Sequence, residues 1–148
     1  MKRYKRDDET DLFELISESD IKELRKIYSD NCYTLACELY ERIFNNGILC
    51  STITFINGSS FRSGTKDLVV WNELNYEYVR YRFHSVLLLG EYIIDLLHSD
   101  KILDTSEYVC DLSRNNKYLS INQSMSGVWY DDLGAPFQVQ LRYLREMG

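Results

Sequence analysis

Apolar residues recur every three to four positions through the first third of the chain, then every second position through the middle. Leu12, Phe13 and Ile16 form one patch, and Ile21, Leu24 and Ile27 form another. Ser17-Glu18-Ser19-Asp20 between them supplies a stop and a new N-cap, so the pattern predicts helix over 12–28 in one or two pieces. The clearest helix is predicted over 31–46. Cys32, Leu35, Ala36, Leu39, Tyr40, Ile43 and Phe44 share one face, and Glu38 and Arg42 pair on the other. Ser29 and Asp30 offer cap oxygens at its start, and Gly47 is a natural residue to follow its end.

The period then falls to two. Residues 49–56 have strand composition and run into Asn57-Gly58-Ser59-Ser60, a turn. Leu68–Trp71 is a short strand. Val79, Tyr81 and Phe83 alternate with Arg80, Arg82 and His84, and the run continues to Leu89. Gly90-Glu91 suits a two-residue type II′ hairpin loop, and Tyr92–Leu97 returns. Beyond residue 98 the signal weakens: 105–130 are polar, Gly134-Ala135-Pro136 is a turn, and 137–144 read as a last strand or a helix, with the alternation of Phe137, Val139, Leu141 and Tyr143 favouring strand. Helices first and antiparallel strands afterwards make an α+β domain. The expected organisation is one domain over 1–148, with N-terminal helices to 30, a core over 31–97, and a loop and strand extension over 98–148.

Hydrophobic residues at 45% supply a core and exclude a disordered chain. A formal charge of −6 argues against nucleic acid or anionic lipid as partner. The basic opening Met1–Arg6 runs into Asp7-Asp8-Glu9 with no apolar stretch, unlike a signal peptide. Gly90, Glu91 and Asp95 interrupt the longest hydrophobic run, so no membrane span is expected. Four cysteines without a CxxC pair, and only two histidines, make neither a zinc site nor a disulfide framework. Cys32, Cys37, Cys50 and Cys110 are therefore expected as free thiols in a soluble protein of a reducing compartment, with no cofactor and no metal.

Cys32 opens the best helix. Unpaired N–H groups and the positive end of the helix dipole favour its thiolate, although a cysteine on an apolar face is more often core. His84 lies in the strand entering the Gly90 hairpin and Asp95 in the strand leaving it. With Leu89 opposite Tyr92, His84 falls opposite Leu97, and Asp95 is its diagonal neighbour on the same face. A carboxylate within Tyr92-Ile-Ile-Asp-Leu-Leu97 calls for a partner. Cysteine, histidine and aspartate together form an acyl-transfer set of nucleophile, base and orienting carboxylate. Other candidates carry less. His98 with Asp100 reads as a solvated loop. Ser59–Gly64 lacks the lysine of a phosphate loop. The tyrosines around 76–81 with Arg80 and Arg82 read as core edge, and Trp71 and Trp129 as core or cleft aromatics.

Asn31-Cys32-Tyr33-x-x-Ala36-x-x-Leu39, Gly47-Ile48 before a strand, His84-Ser-Val, and Gly90-Glu-Tyr-Ile-Ile-Asp95 together resemble the papain-like/transglutaminase-like superfamily. The likeness is greatest to its small bacterial papain-fold toxins and protein-glutamine deamidases. It implies a cysteine-bearing central helix on an antiparallel sheet and a Cys32–His84–Asp95 site acting on a protein amide. It also implies a toxin or effector role, as in contact-dependent inhibition, with a cognate immunity protein over the cleft. Papain-type peptidases carry a glutamine shortly before the cysteine, and none precedes Cys32. The Cys32 N–H with the Asn31 side chain is the substitute oxyanion hole, unless Asn31 is a cap alone. That departure shifts weight from peptidase towards deamidase or transglutaminase. The alternative is a non-catalytic interaction module such as an immunity protein.

Overall fold

A computed structural model describes residues 2–5, 11–55, 66, 68–108 and 112, and the backbone of 56–57, 119–120, 127–131 and 136–142. The N-terminal helical stretch divides at Ser17. Helix α1 (Leu12–Leu15) is capped by Asp11, and α2 (Glu18–Ile27) by Ser17, whose hydroxyl accepts from the Asp20 N–H. Helix α3 spans Cys32–Asn45, and Asn31 caps it by accepting from the Thr34 N–H. Gly47, at φ +84°, turns the chain out of the helix.

Short β1 (Lys2–Arg3) and β2 (Ile48–Leu49) pair in parallel. Next come β3 (Ser51–Asn57), β4 (Leu68–Asn72), β5 (Glu77–Tyr81), β6 (Phe83–Leu89), β7 (Tyr92–Ile94) and β8 (Ile102–Asp104). Strands β9 (Leu119–Ser120), β10 (Gly127–Asp131) and β11 (Pro136–Arg142) follow. Seven of them make one antiparallel sheet in the order β8-β7-β6-β3-β11-β10-β9, while β4 and β5 form a separate hairpin. The segment 98–148, expected as an extension, thus supplies four strands of the main sheet, and β11 lies inside it. Helices with an antiparallel sheet make the α+β class. The turn at 58–60, the 59–64 segment, Cys110 and the Trp129 side chain fall outside the described residues.

Alternation along β6 divides the core in two. Leu87 and Leu89 pack with Leu24, Leu35, Leu39 and Ile43 of the helices. Val86 and Leu88 pack with Leu68 and Val70 of the hairpin, and with Tyr108. Around β6 the sheet is therefore covered on both faces, as its apolar residues require.

Two expectations fail at the site. The strand read across 79–89 breaks at Arg82, because β5 pairs with β4 whereas β6 pairs with β3 and β7. The Gly90 hairpin has the expected register, Leu89 opposite Tyr92, and Gly90 alone of its two loop residues has positive φ (+63°), as a II′ turn needs. The ladder stops at Leu87–Ile94, however, so His84 never pairs with Leu97.

Candidate active site

The end of that ladder makes the site. In an antiparallel pair hydrogen-bonded residues alternate, so Ser85 N–H and Leu96 C=O would have met had β7 continued. Both find other partners. The Ser85 N–H donates to Cys32 Sγ at 3.4 Å, and Leu96 C=O accepts from Arg25 Nε on α2. The split between β6 and β7 admits the first residue of α3 to the flank of β6. Cys32 is 9% exposed there, with Leu35, Ser85 and Asp95 around a cavity of only about 10 Å³.

Asp95 starts a tight turn instead of extending the strand. Its carbonyl accepts from the N–H groups of His98 (3.1 Å) and Ser99 (2.9 Å). Arg25 Nη2 donates to Ser99 C=O at 3.0 Å and pairs with Asp100 at 2.7 Å. From the other side, Glu73 N–H donates to His98 C=O and the Ser99 hydroxyl donates to the Glu73 carboxylate. The turn is held by α2 and by the β4–β5 hairpin at once.

The Asp95 carboxylate is 2% exposed, and its Oδ2 accepts three hydrogen bonds: His84 Nε2 at 2.9 Å, His98 Nδ1 at 2.8 Å and Tyr108 hydroxyl at 2.9 Å. An ionised carboxylate only accepts, so the His84 proton sits on Nε2 and Nδ1 is left for chemistry. His84 is fully buried, and its Nδ1 has no partner of hydrogen-bond geometry among the described residues. Its ring nevertheless couples to the Cys32 thiol.

Burial pushes the Cys32 thiol up, but the adjoining His84 ring and the Ser85 N–H outweigh it, and the thiol falls below its ordinary value. Burial pulls His84 down, but the Asp95 charge and hydrogen bond, with the thiolate, raise it to about 10. Asp95 resists burial through both histidines and lies well below the carboxylate range. The combination favours a thiolate–imidazolium pair. Cys50, also buried but beside Glu41 and without a cation, is pushed up to about 12.

His98, expected in a solvated loop, is 2% exposed, and its Nε2 lies 2.7 Å from the Tyr81 hydroxyl. Tyr81 also stacks on the His84 ring, centroids 4.8 Å apart. Unbroken alternation would have put residues 81 and 84 on opposite faces, and the bend at Arg82 brings them together. The i,i+3 spacing of Asp95 and His98 on a turn was the available signal for His98. Nothing in the sequence pointed to Tyr108 or Arg25.

His84, Asp95 and His98 also offer three atoms of metal-ligand type within 4.8 Å of one another. Ligands about 2.0–2.1 Å from a tetrahedral ion stand about 3.4 Å apart. The nitrogens here lie 2.8 and 2.9 Å from one carboxylate oxygen, which is hydrogen-bond spacing.

Asn31 is exposed, and its Oδ1 is engaged with the Thr34 N–H at 3.0 Å. Its amide N–H groups and the Cys32 N–H, which has no intrahelical acceptor, stand at the helix start. Compared with protein-family models, curated proteins and solved structures, the chain matches none. No helix among the described residues is long and apolar enough to cross a membrane.

Proposed function

We propose that the chain is a cysteine-dependent acyl-transfer enzyme on a papain-like scaffold, acting on a protein amide. The carrying observation is His84, bonded to Asp95 through Nε2 with its other nitrogen left for the Cys32 thiol. The Cys32 thiolate attacks the amide carbonyl and forms a C–S bond. The resulting oxyanion is stabilised by the Cys32 N–H and an Asn31 amide N–H. The imidazolium passes its Nδ1 proton to the leaving nitrogen, which departs as ammonia or amine, and a thioester remains. Neutral His84 then accepts a proton from water or an incoming amine as the thioester opens. Asp95 fixes the tautomer throughout. A glutamine side chain or a peptide bond satisfies this chemistry, without metal or cofactor. The resemblance noted above extends the reading to a toxin or effector domain with a protein substrate and a covering immunity protein.

The burial of Cys32 favours a second reading, a non-catalytic interaction module such as an immunity protein. Expression in bacteria separates the two. Wild type should inhibit growth, and Cys32→Ala and His84→Ala at equal soluble protein should not. Asp95→Asn should lose several orders of magnitude in rate while remaining folded, as in other triads. A fully toxic Cys32→Ala protein would refute the enzyme.

A further inference from the structure

The acyl-transfer set uses one of the two histidines gathered at Asp95 and leaves the other without a role. His98 is as deeply buried as Asp95 and makes two side-chain hydrogen bonds, each to a group that itself touches His84. Through Nδ1 it donates to Asp95 Oδ2, the oxygen that receives His84 Nε2. Through Nε2 it accepts from Tyr81, whose ring covers His84. Its own ring also meets His84 edge-on, centroids 4.7 Å apart at 70°. A buried imidazole has two ring nitrogens to satisfy, and both partners of His98 are groups that touch His84. His98 bridges the carboxylate and the aromatic cover of that ring.

We propose that His98 is a positioning residue of the candidate site. It aims the Asp95 carboxylate at His84 and anchors Tyr81 against the His84 ring, so that Nδ1 stays directed at Cys32. The role rests on the acyl-transfer reading, but its physical content concerns the His84 ring alone. Among the described residues, the titratable groups around that ring are Cys32 from α3, Tyr81 from β5, Asp95 and His98 from the turn, and Tyr108 through Asp95.

Positioning and simple charge neutralisation predict opposite signs. If His98 only dispersed the Asp95 charge, its removal would strengthen the carboxylate's hold on His84 and raise the imidazole's titration midpoint. If it aims the carboxylate, its removal loosens the pair and lowers the midpoint.

The chain has two histidines, so any His98 variant leaves a single imidazole signal to follow by NMR. In the full chain, His98→Ala is expected to lower the His84 midpoint by about one pH unit. Alkylation of Cys32 by iodoacetamide at pH 6 should slow by roughly tenfold with it. His98→Asn, which keeps a donor near the Nδ1 position, should recover more than half of both. In an Asp95→Asn background, His98→Ala should change the midpoint very little, because its partner is already altered. Should His98→Ala not fold, Tyr81→Phe carries the test. It frees Nε2 while keeping the ring on His84, and should shift the midpoint in the same direction by less.

An unchanged or raised midpoint in the folded variants would overturn the assignment. So would a full effect of His98→Ala in the Asp95→Asn background. Binding of one Zn²⁺ per chain by wild type, lost in His98→Ala, would overturn it in favour of a ligand role. A slow Cys32 thiol in the unmodified chain refutes the acyl-transfer reading, while the titration still decides the role of His98.

Discussion

Asp95 Oδ2 accepts from three side chains, and that count sets how the cluster answers to pH. Asp95 is held below its ordinary range, so its contribution to stability is present above about pH 4 and lost on acidification. His84 is raised to about 10. Its contribution is complete below about pH 6.5, the unfolded value, and is lost as pH climbs through the folded one. Cys32, whose thiol is lowered, gains with rising pH and runs against this trend. In a Cys32→Ala background, which removes the thiol's share of the His84 shift, the urea midpoint is therefore expected to decline above about pH 6.5, and Asp95→Asn should flatten the decline. Peptide mapping after brief alkylation at pH 6 provides a second check. Cys32 should label well before Cys50, which burial and Glu41 keep protonated. At this scale the His84–Asp95 bond was legible because a carboxylate in an apolar strand is chemically out of place and calls for a partner. His98 was not, since two residues of polar sequence around it look the same whether a turn is solvated or clamped.

Among the elements, the turn after β7 depends on α2. Arg25 reaches Leu96 C=O, Ser99 C=O and Asp100. Arg25→Ala is expected to cost about 1.5–3 kcal/mol by urea unfolding, the scale of charged hydrogen bonds that are partly buried. Arg25→Lys should recover only part, because one ammonium cannot reproduce the guanidinium fork. At the start of α3, Asn31→Ala should cost about 0.5–2 kcal/mol through the lost cap. Asn31→Ser keeps a capping oxygen but no amide donor. Restored stability with reduced growth inhibition would separate capping from the proposed oxyanion role. Helix boundaries were legible to within a residue or two because cap chemistry is local: Ser17 and Asn31 bond to residues three positions on. The break at Arg82 was not, because it follows from which strands 77–81 and 83–89 pair with. The first folds back on its neighbour β4, whereas the second joins β3 across the intervening hairpin, and the alternation over 77–89 does not record that change.

Across the whole molecule, the α+β order was readable from the change in period, but the place of the last strand was not. Residues 136–142 have an ordinary alternating pattern, and nothing in it states that β11 enters between β3 and β10. The six paired positions from Phe137–Asn57 to Arg142–Thr52 join residues 80 to 90 positions apart in the chain. Deleting 136–142 should leave β3 with an open apolar edge and convert soluble protein into aggregate, measured by light scattering. That topology also has a temporal meaning. During synthesis, β3 emerges early and cannot be paired along that side until Pro136 and its successors have left the ribosome. The same wait applies to the sheet that backs His84. A nascent chain therefore carries Cys32 and His84 without a finished sheet around them until residues 136–142 have been made. If the finished protein is harmful to the cell that makes it, the order of strands is itself a delay, and a partner present at the ribosome would have that interval in which to bind.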